Sequence, residues 1–420
     1  METLPCGHIA AAGPRRVCRH LTESDAEAPY VRLFIGRGVE YDLCCPPCGE
    51  SGPELVVACE GCVARVDEDE WECEGFRGKP EIRERPEPVP GALRRVRLPF
   101  APLDIAPIPA VPHRWLLLDK GAVVRWRSDR NEVVGRVRVK MPARAGKGYF
   151  KDRPARPRLH ASPSGRYCAV VVDFDRYGAV VDLTSGRRTA TLDRGGHYPG
   201  TTYFPFAFVS HVSLERFVHA TDWNRLDVSD AATGRVLTGR VFPVPEGSRL
   251  PEHHLEYFHG ALAVSPDGRW LADDGWVWTP VGVPRLWDLR AWWQNPYESE
   301  DGPSARRLAD RSDWNLAMCW LGDRLVVSGL GGLEDSPLLP GVRIFHPETG
   351  EQEGAFAGPE GALFAAGGKL VSAAPGGAEF WDPGTGERLG RIPGFVPIRH
   401  HPASGELLQL AGDTAILHEP

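Results

Sequence analysis

From Leu93 to the C-terminus, apolar residues come in short runs separated by turn residues, and the spacing of an amphipathic helix is hard to find. The runs at 115–118, 167–172, 217–221, 270–272, 325–328, 370–373 and 407–410 have the length and composition of buried β-strands. A turn precedes each of them. Ser162-Pro-Ser-Gly165, Ser265-Pro-Asp-Gly268, Leu321-Gly-Asp-Arg324 and Pro402-Ala-Ser-Gly405 are well formed, and Pro112-His-Arg114, Ser213-Leu-Glu-Arg216 and Gly367-Gly-Lys369 are weaker versions. A second turn follows the next strand at Asp182-Leu-Thr-Ser-Gly186, Asp230-Ala-Ala-Thr-Gly234, Pro347-Glu-Thr-Gly350 and Pro383-Gly-Thr-Gly386. Glycine supplies the positive φ such turns need, and Asp or Pro presets their start. Successive first turns are about 36 to 56 residues apart, which brackets the roughly 40–45 residues of a four-stranded propeller blade.

Trp287-Asp288 and Trp381-Asp382 close a third strand, and Ser162–Gly165 and Ser265–Gly268 match a Ser-Pro-Asp-Gly turn. In these motifs the chain resembles the WD-repeat family over about three quarters of its length. The resemblance implies an all-β fold, a seven-bladed β-propeller over residues 93–420, and a role in protein–protein interaction. No Gly-His pair opens the repeats, so the Asp–His network of well-formed members lacks its sequence sign. The last blade offers only three strands, at 396–400, 407–410 and 414–418. A propeller must close or leave a bare strand edge. Residues 92–98 alternate apolar with basic side chains, and a strand at about 93–99 is expected to supply the missing one.

The first 88 residues read differently. Eight of the ten cysteines lie before residue 74, and Cys45-Pro-Pro-Cys48 with Cys59-Glu-Gly-Cys62 forms a C-x2-C…C-x2-C pattern. Each such turn aims two thiolates at one point, and two turns make a tetrahedral site for zinc, as in small zinc ribbons. Cys6-Gly-His8 and Cys18-Arg-His20 could form a second, Cys2His2 site, with Cys44 and Cys73 as alternates and cross-braced pairing open. Four protein ligands leave no position for a catalytic water, so one or two structural zinc ions are expected. The neighbouring run from Asp67 to Glu74 is either a solvated acidic face or a docking patch for a basic partner.

Charge sharpens this division. Residues 1–92 carry 10 Lys+Arg against 18 Asp+Glu, leaving 39 against 38 for the rest of a chain whose net charge is −7. The acidic front segment disfavours nucleic acid. Only 6 of the 49 basic residues are lysine, a skew that fits a high-GC bacterial genome. With no signal-peptide pattern and no apolar stretch approaching a membrane span, a cytoplasmic protein is expected.

No phosphate loop, nucleophile elbow or H-E-x-x-H pair is present, and Gly329-Leu-Gly-Gly332 lacks a following helix. His160, His211, His259 and His401 fall in or beside first strands, which line a propeller channel. The alternative to a scaffold is therefore an enzyme at the channel mouth, acting on a sugar or a metal-bound substrate. His253-His254 reads as a loop pair. Residues 140–158 hold seven Lys/Arg against one acid, a solvated loop or an anion site. Trp292 and Trp293 sit in the long segment 290–311, where they either anchor a partner or pack against a neighbouring blade. The leading expectation is a non-enzymatic protein-interaction scaffold with a structural zinc module. Elemental analysis of the purified chain is expected to find one or two zinc ions, absent from a fragment of residues 93–420. Metal retained by that fragment would place it near the channel histidines instead.

Overall fold

The computed structural model describes residues 82–419 except 145–152, 213, 279 and 332–337, together with the backbone of four short strands in the first 81 residues. The chain divides into two compact units, Met1–Pro80 and Glu81–Pro420. In the first, the strands order as Val31–Phe34, Tyr41–Cys44, Arg15–Cys18 and Leu55–Ala58. Arg15–Cys18 runs parallel to Tyr41–Cys44 and antiparallel to Leu55–Ala58.

The second unit is a seven-bladed β-propeller. Blades are numbered from the sheet that begins at Asp104; each is an antiparallel sheet, and in blades 1 to 6 the strands neighbour one another in sequence order. The face on which each first strand begins is called the upper face. Each of the seven apolar runs is the second strand of a blade, for example Arg114–Asp119, Tyr167–Asp173 and Leu407–Ala411. These strands read as continuous apolar runs because neighbouring blades cover both of their faces, and every residue of Tyr167–Asp173 is buried. Trp115, Trp126, Trp287 and Trp381 fill the wedges between blades. At the turns, Gly165, Gly186, Gly234, Gly268, Gly350, Gly386 and Gly405 all hold φ between 70° and 75°. No helix among the described residues is long and apolar enough to cross a membrane.

Blade 7 is completed from the other end of the propeller. Ala92–Arg97 pairs antiparallel with Thr414–Glu419, in register from Thr414↔Arg97 to Glu419↔Ala92. Two carboxylates tighten that junction. Asp104 of blade 1 accepts the Leu159 amide of blade 2 at 2.7 Å and the Arg399 guanidinium of blade 7 at 2.7 Å, so one side chain joins three successive blades. Glu406 of blade 7, fully buried, accepts from Ser128 at 2.7 Å and from the Trp115 indole at 3.3 Å, both in blade 1. A boundary at residue 88 does not hold, because residues 83–87 run along the outer strand of blade 6. The Arg85 amide donates to Arg388 and that of Glu87 to Leu389, while the Arg85 side chain pairs with Asp382 at 2.6 Å. These exposed ion pairs are each worth about 0–1 kcal/mol.

Blade 3 departs from the four-strand pattern: among the described residues it holds only Phe206–His211, Leu214–Asp222 and Arg225–Asp230. Arg240 stands where a fourth strand would run. Its guanidinium donates to the Leu226 carbonyl at 3.0 Å and to Asp227 at 2.6 Å, and it pairs with Glu300. Glu300 lies on α2 (Glu298–Asp301), inserted in blade 4 after α1 (Leu289–Trp292). Asp288 caps α1 by accepting the Arg290 amide, and the first turn of helix carries Trp292 into the core between blades 3 and 4, where it is 1% exposed. Trp292 is therefore not a surface anchor.

Deleting residues 1–81 is expected to leave the thermal midpoint of the propeller nearly unchanged. Deleting residues 1–98, which removes the closing strand, should abolish the cooperative transition or lower it by more than ten degrees, roughly what a loss of several kcal/mol does to a domain of this size. Asp104→Ala, which strands Arg399 and the Leu159 amide, should cost about 2–4 kcal/mol in urea unfolding. Equal midpoints for the two truncations would contradict closure by this strand.

Candidate interaction surface

A central channel of about 1410 Å³ is lined by first-strand residues of all seven blades. Its charges are largely self-paired: Arg399 with Asp104, and Arg158 with Asp173 at 3.1 Å. Of the four first-strand histidines, only His160 lines it. His211 lies against Trp293, with ring centroids 4.6 Å apart. His259 faces into its own blade and contacts Asp273 at 2.6 Å, an Asp–His contact formed without the Gly-His signature. His401 packs edge-on against Trp115. His400 is the second histidine on the channel wall. Burial holds His160 well below the usual imidazole range and lowers His400 to about 4. Both are neutral bases at neutral pH, and the acids beside them already carry arginines. Among the described residues, no three His, Cys, Asp or Glu side chains gather as metal ligands.

The upper face over blades 3 and 4 is built quite differently. Eight aromatic rings from five separate loops and strand ends form one continuous network. Its floor is Phe258 and Trp276, opposite each other on the first two strands of blade 4 and stacked at 4.1 Å and 12°. Trp314, from the connection into blade 5, stacks on Trp276 at 4.7 Å. Above the floor, Trp223 lies 4.5 Å from Phe258, and His197 lies 4.9 Å from Trp223. Tyr198 and Trp278 meet at 5.1 Å, and His254 edges Trp223 at 6.3 Å. Phe258 and Trp276 are 4% and 3% exposed, whereas Trp278 is 53% exposed.

The loops that carry these rings are pinned from below. Arg194 is buried and donates to the carbonyls of Asp175, Thr202 and Tyr203, each at 2.9–3.0 Å. Burial lowers its pKa to about 9, so it stays charged at neutral pH. Asn315 donates to the Thr201 carbonyl at 2.8 Å and accepts the Tyr203 amide at 3.1 Å. The Trp314 indole donates to Thr201 as well, at 2.9 Å. Asp222 and Asp313 each accept the amide of the tryptophan that follows, at 2.8 and 2.7 Å. Large rings held on fixed loops lose little entropy when a ligand covers them, the usual condition of a binding hot spot.

Trp292 and Trp293, expected either to anchor a partner or to pack against a neighbouring blade, are not part of this cluster; Trp292 packs between blades 3 and 4. Trp293 is half-buried, against His211 and with the Arg216 guanidinium 5.1 Å from its ring. A signal for the true cluster does exist: Asp-Trp-Asn occurs twice, at 222–224 and 313–315. Nothing in the spacing indicates that the two converge. Of the expected metal ligands, Cys6, His8, His20, Cys45, Cys48, Cys59, Cys62 and Cys73 lie outside the described residues. Cys18 and Cys44 end described strands, for which only the backbone is described. Residues 145–152 of the basic loop at 140–158 also lie outside them; Arg158 is spent on Asp173.

No protein-family model matches the chain, and no curated protein matches it. Among solved structures, it is similar to a chain in the crystal structure of a mitotic checkpoint complex, at TM-score 0.49 and 14% identity, over 81% of this chain and 96% of that one. The propeller assignment rests on this chain's own strand order and register rather than on that likeness.

The buried histidines make stability pH-dependent. His219 bonds Ser229 through Nε2 at 2.9 Å, and burial lowers its pKa to about 4, as it does for His400. Unfolded, each binds a proton near pH 6.5; folded, only near 4. Their contribution is therefore complete above pH 6.5 and lost as pH falls, by about 2 kcal/mol per histidine between pH 6.5 and 5. Urea midpoints should fall over that interval, and less steeply in His219→Gln. A midpoint independent of pH there would contradict neutral burial.

Proposed function

We propose that this chain is a cytosolic, non-enzymatic scaffold that binds a protein partner on the upper face of blades 3 and 4, with residues 1–80 forming a structural zinc module. The observation that carries the reading is the aromatic platform around Trp223 and Trp278. Folding gains nothing from leaving an indole half in water beside three other rings, whereas partner recognition does. A channel-mouth enzyme has less support, since three of the four first-strand histidines face away from the channel and its arginines already hold the neighbouring acids.

The strand order of the first unit favours one zinc arrangement. Parallel pairing puts Cys18 and Cys44 at the same end of the sheet, while Leu55–Ala58 finishes at the other end, where Arg15 begins its strand. Cys59 follows Ala58 directly, and Cys45 follows Cys44. This supports a cross-braced pairing, Cys18 and His20 with Cys45 and Cys48, and Cys6 and His8 with Cys59 and Cys62. Each set still supplies four ligands, three thiolates and one imidazole, and no open position.

The test of the scaffold reading is quantitative affinity capture from the source cells with the wild-type chain and two variants. Trp278→Ala, with circular dichroism unchanged, should lower recovery of the specific partner at least tenfold. Trp293→Ala should leave it unchanged. Undiminished recovery with Trp278→Ala would move recognition off this face.

A further inference from the structure

Three carboxylates that form no ion pair among the described residues stand beside the platform's rings. Asp222 lies exposed beside Trp223 and against the loop that carries His197. Glu256 is exposed between His254 and Phe258, and Asp313 precedes Trp314. Among the described residues, none of the three forms an ion pair. Arg176, whose charge Asp222 also favours, is held by Asp193 at 2.7 Å, and Arg225, opposite Asp222 on the next strand, is held by Asp227 at 2.9 Å. The surface therefore joins broad π-faces to negative charge.

Elsewhere this chain completes that combination with an arginine of its own. Arg269 lies 4.7 Å from the Trp270 ring centroid and pairs with Asp288 at 3.0 Å. Arg225 lies 4.8 Å from the Phe242 ring and pairs with Asp227 at 2.9 Å. At Trp223 and Trp278 the ring and the carboxylate are present, and no guanidinium of the described residues covers either indole. The rings pack directly against one another, Trp276 and Trp278 tilted by 31° and Tyr198 and Trp278 by 44°, so they form a tiled surface rather than an enclosing cage. A tiled surface suits a flat guanidinium laid on an indole, with its N–H edge turned to a carboxylate, better than it suits a compact ammonium. Phosphate backbones would meet three carboxylates and are excluded by the same charge.

We propose that the platform formed by Trp223, Trp278 and Tyr198, with Asp222 and Glu256 at its rim, recognises an arginine-bearing segment of the partner protein. This rests on the reading that the upper face of blades 3 and 4 is the recognition surface.

The experiment is calorimetric titration of the full chain with acetyl-(Gly-Arg)3-amide and with its lysine and glutamate counterparts. The arginine peptide should bind at least fivefold more tightly than the lysine peptide, and the glutamate peptide should give no heat. Trp278→Ala and Asp222→Asn should each weaken arginine-peptide binding at least fivefold. Equal affinity for the arginine and lysine peptides would overturn the proposal by showing that charge alone is read. Affinity unchanged in both variants would overturn it by placing the peptide on the acidic residues 1–92. If Trp278→Ala loses the cellular partner while no arginine peptide binds, the face is a recognition surface for a different chemistry and only this proposal fails.

Discussion

A ring of radial sheets has no free energy minimum until its last wedge is filled. Each blade of this propeller buries its two faces against neighbours, so an incomplete seventh blade would expose both a bare strand edge and the apolar sides of blades 6 and 1. The chain meets this constraint by bringing Ala92–Arg97 to the outside of Thr414–Glu419. Asp104, which holds Arg399 on one side and Leu159 on the other, is in position only if blades 7, 1 and 2 are adjacent.

Closure also explains why binding chemistry concentrates where it does. The buried charges between blades fix the loops above them: Asp273 and Asp274 on the second strand of blade 4 hold the Gly260 and Leu316 amides at 2.8 and 2.6 Å. Arg311, fully buried, pairs with Asp274 and donates to the Ser328 carbonyl. Buried pairs of this kind contribute little net stability, but removing one partner costs several kcal/mol, so they specify a single loop arrangement. The upper-face rings inherit that rigidity. The aromatic platform is thus a consequence of how blades 3, 4 and 5 are bolted together, and it leaves the Trp278 indole half exposed with Asp222 and Glu256 exposed beside it.

The repeat was legible because its physics is local. Second strands buried on both faces must be continuous apolar runs, and turns with φ near 70° select glycine, so seven runs and their turns could be read directly. What escaped reading depends on convergence in space. Arg240 replaces the fourth strand of blade 3 by reaching a carboxylate on α2, sixty residues further along the chain. Trp292 was legible as a large aromatic in an insertion, but only the Asp288 cap shows that the insertion starts with a helical turn that drives the ring inward. The platform draws single aromatics from residues 197 to 314, each unremarkable in its own turn. The cysteine and histidine pairs of the first 80 residues stand on spacing, with the strand order of that unit bearing on how they pair.

The account turns on ring closure, and native-state hydrogen exchange on the full chain tests it most directly. The backbone amides of Ala92–Arg97 that bond Thr414–Glu419 should exchange as slowly as those of the partner strand, with the same denaturant dependence, because they can open only when the propeller unfolds as a whole. Fast exchange insensitive to denaturant at those amides, at the rate of the exposed turn residues 246–249, would mean that the strand is dispensable and that the ring is closed by some other contact.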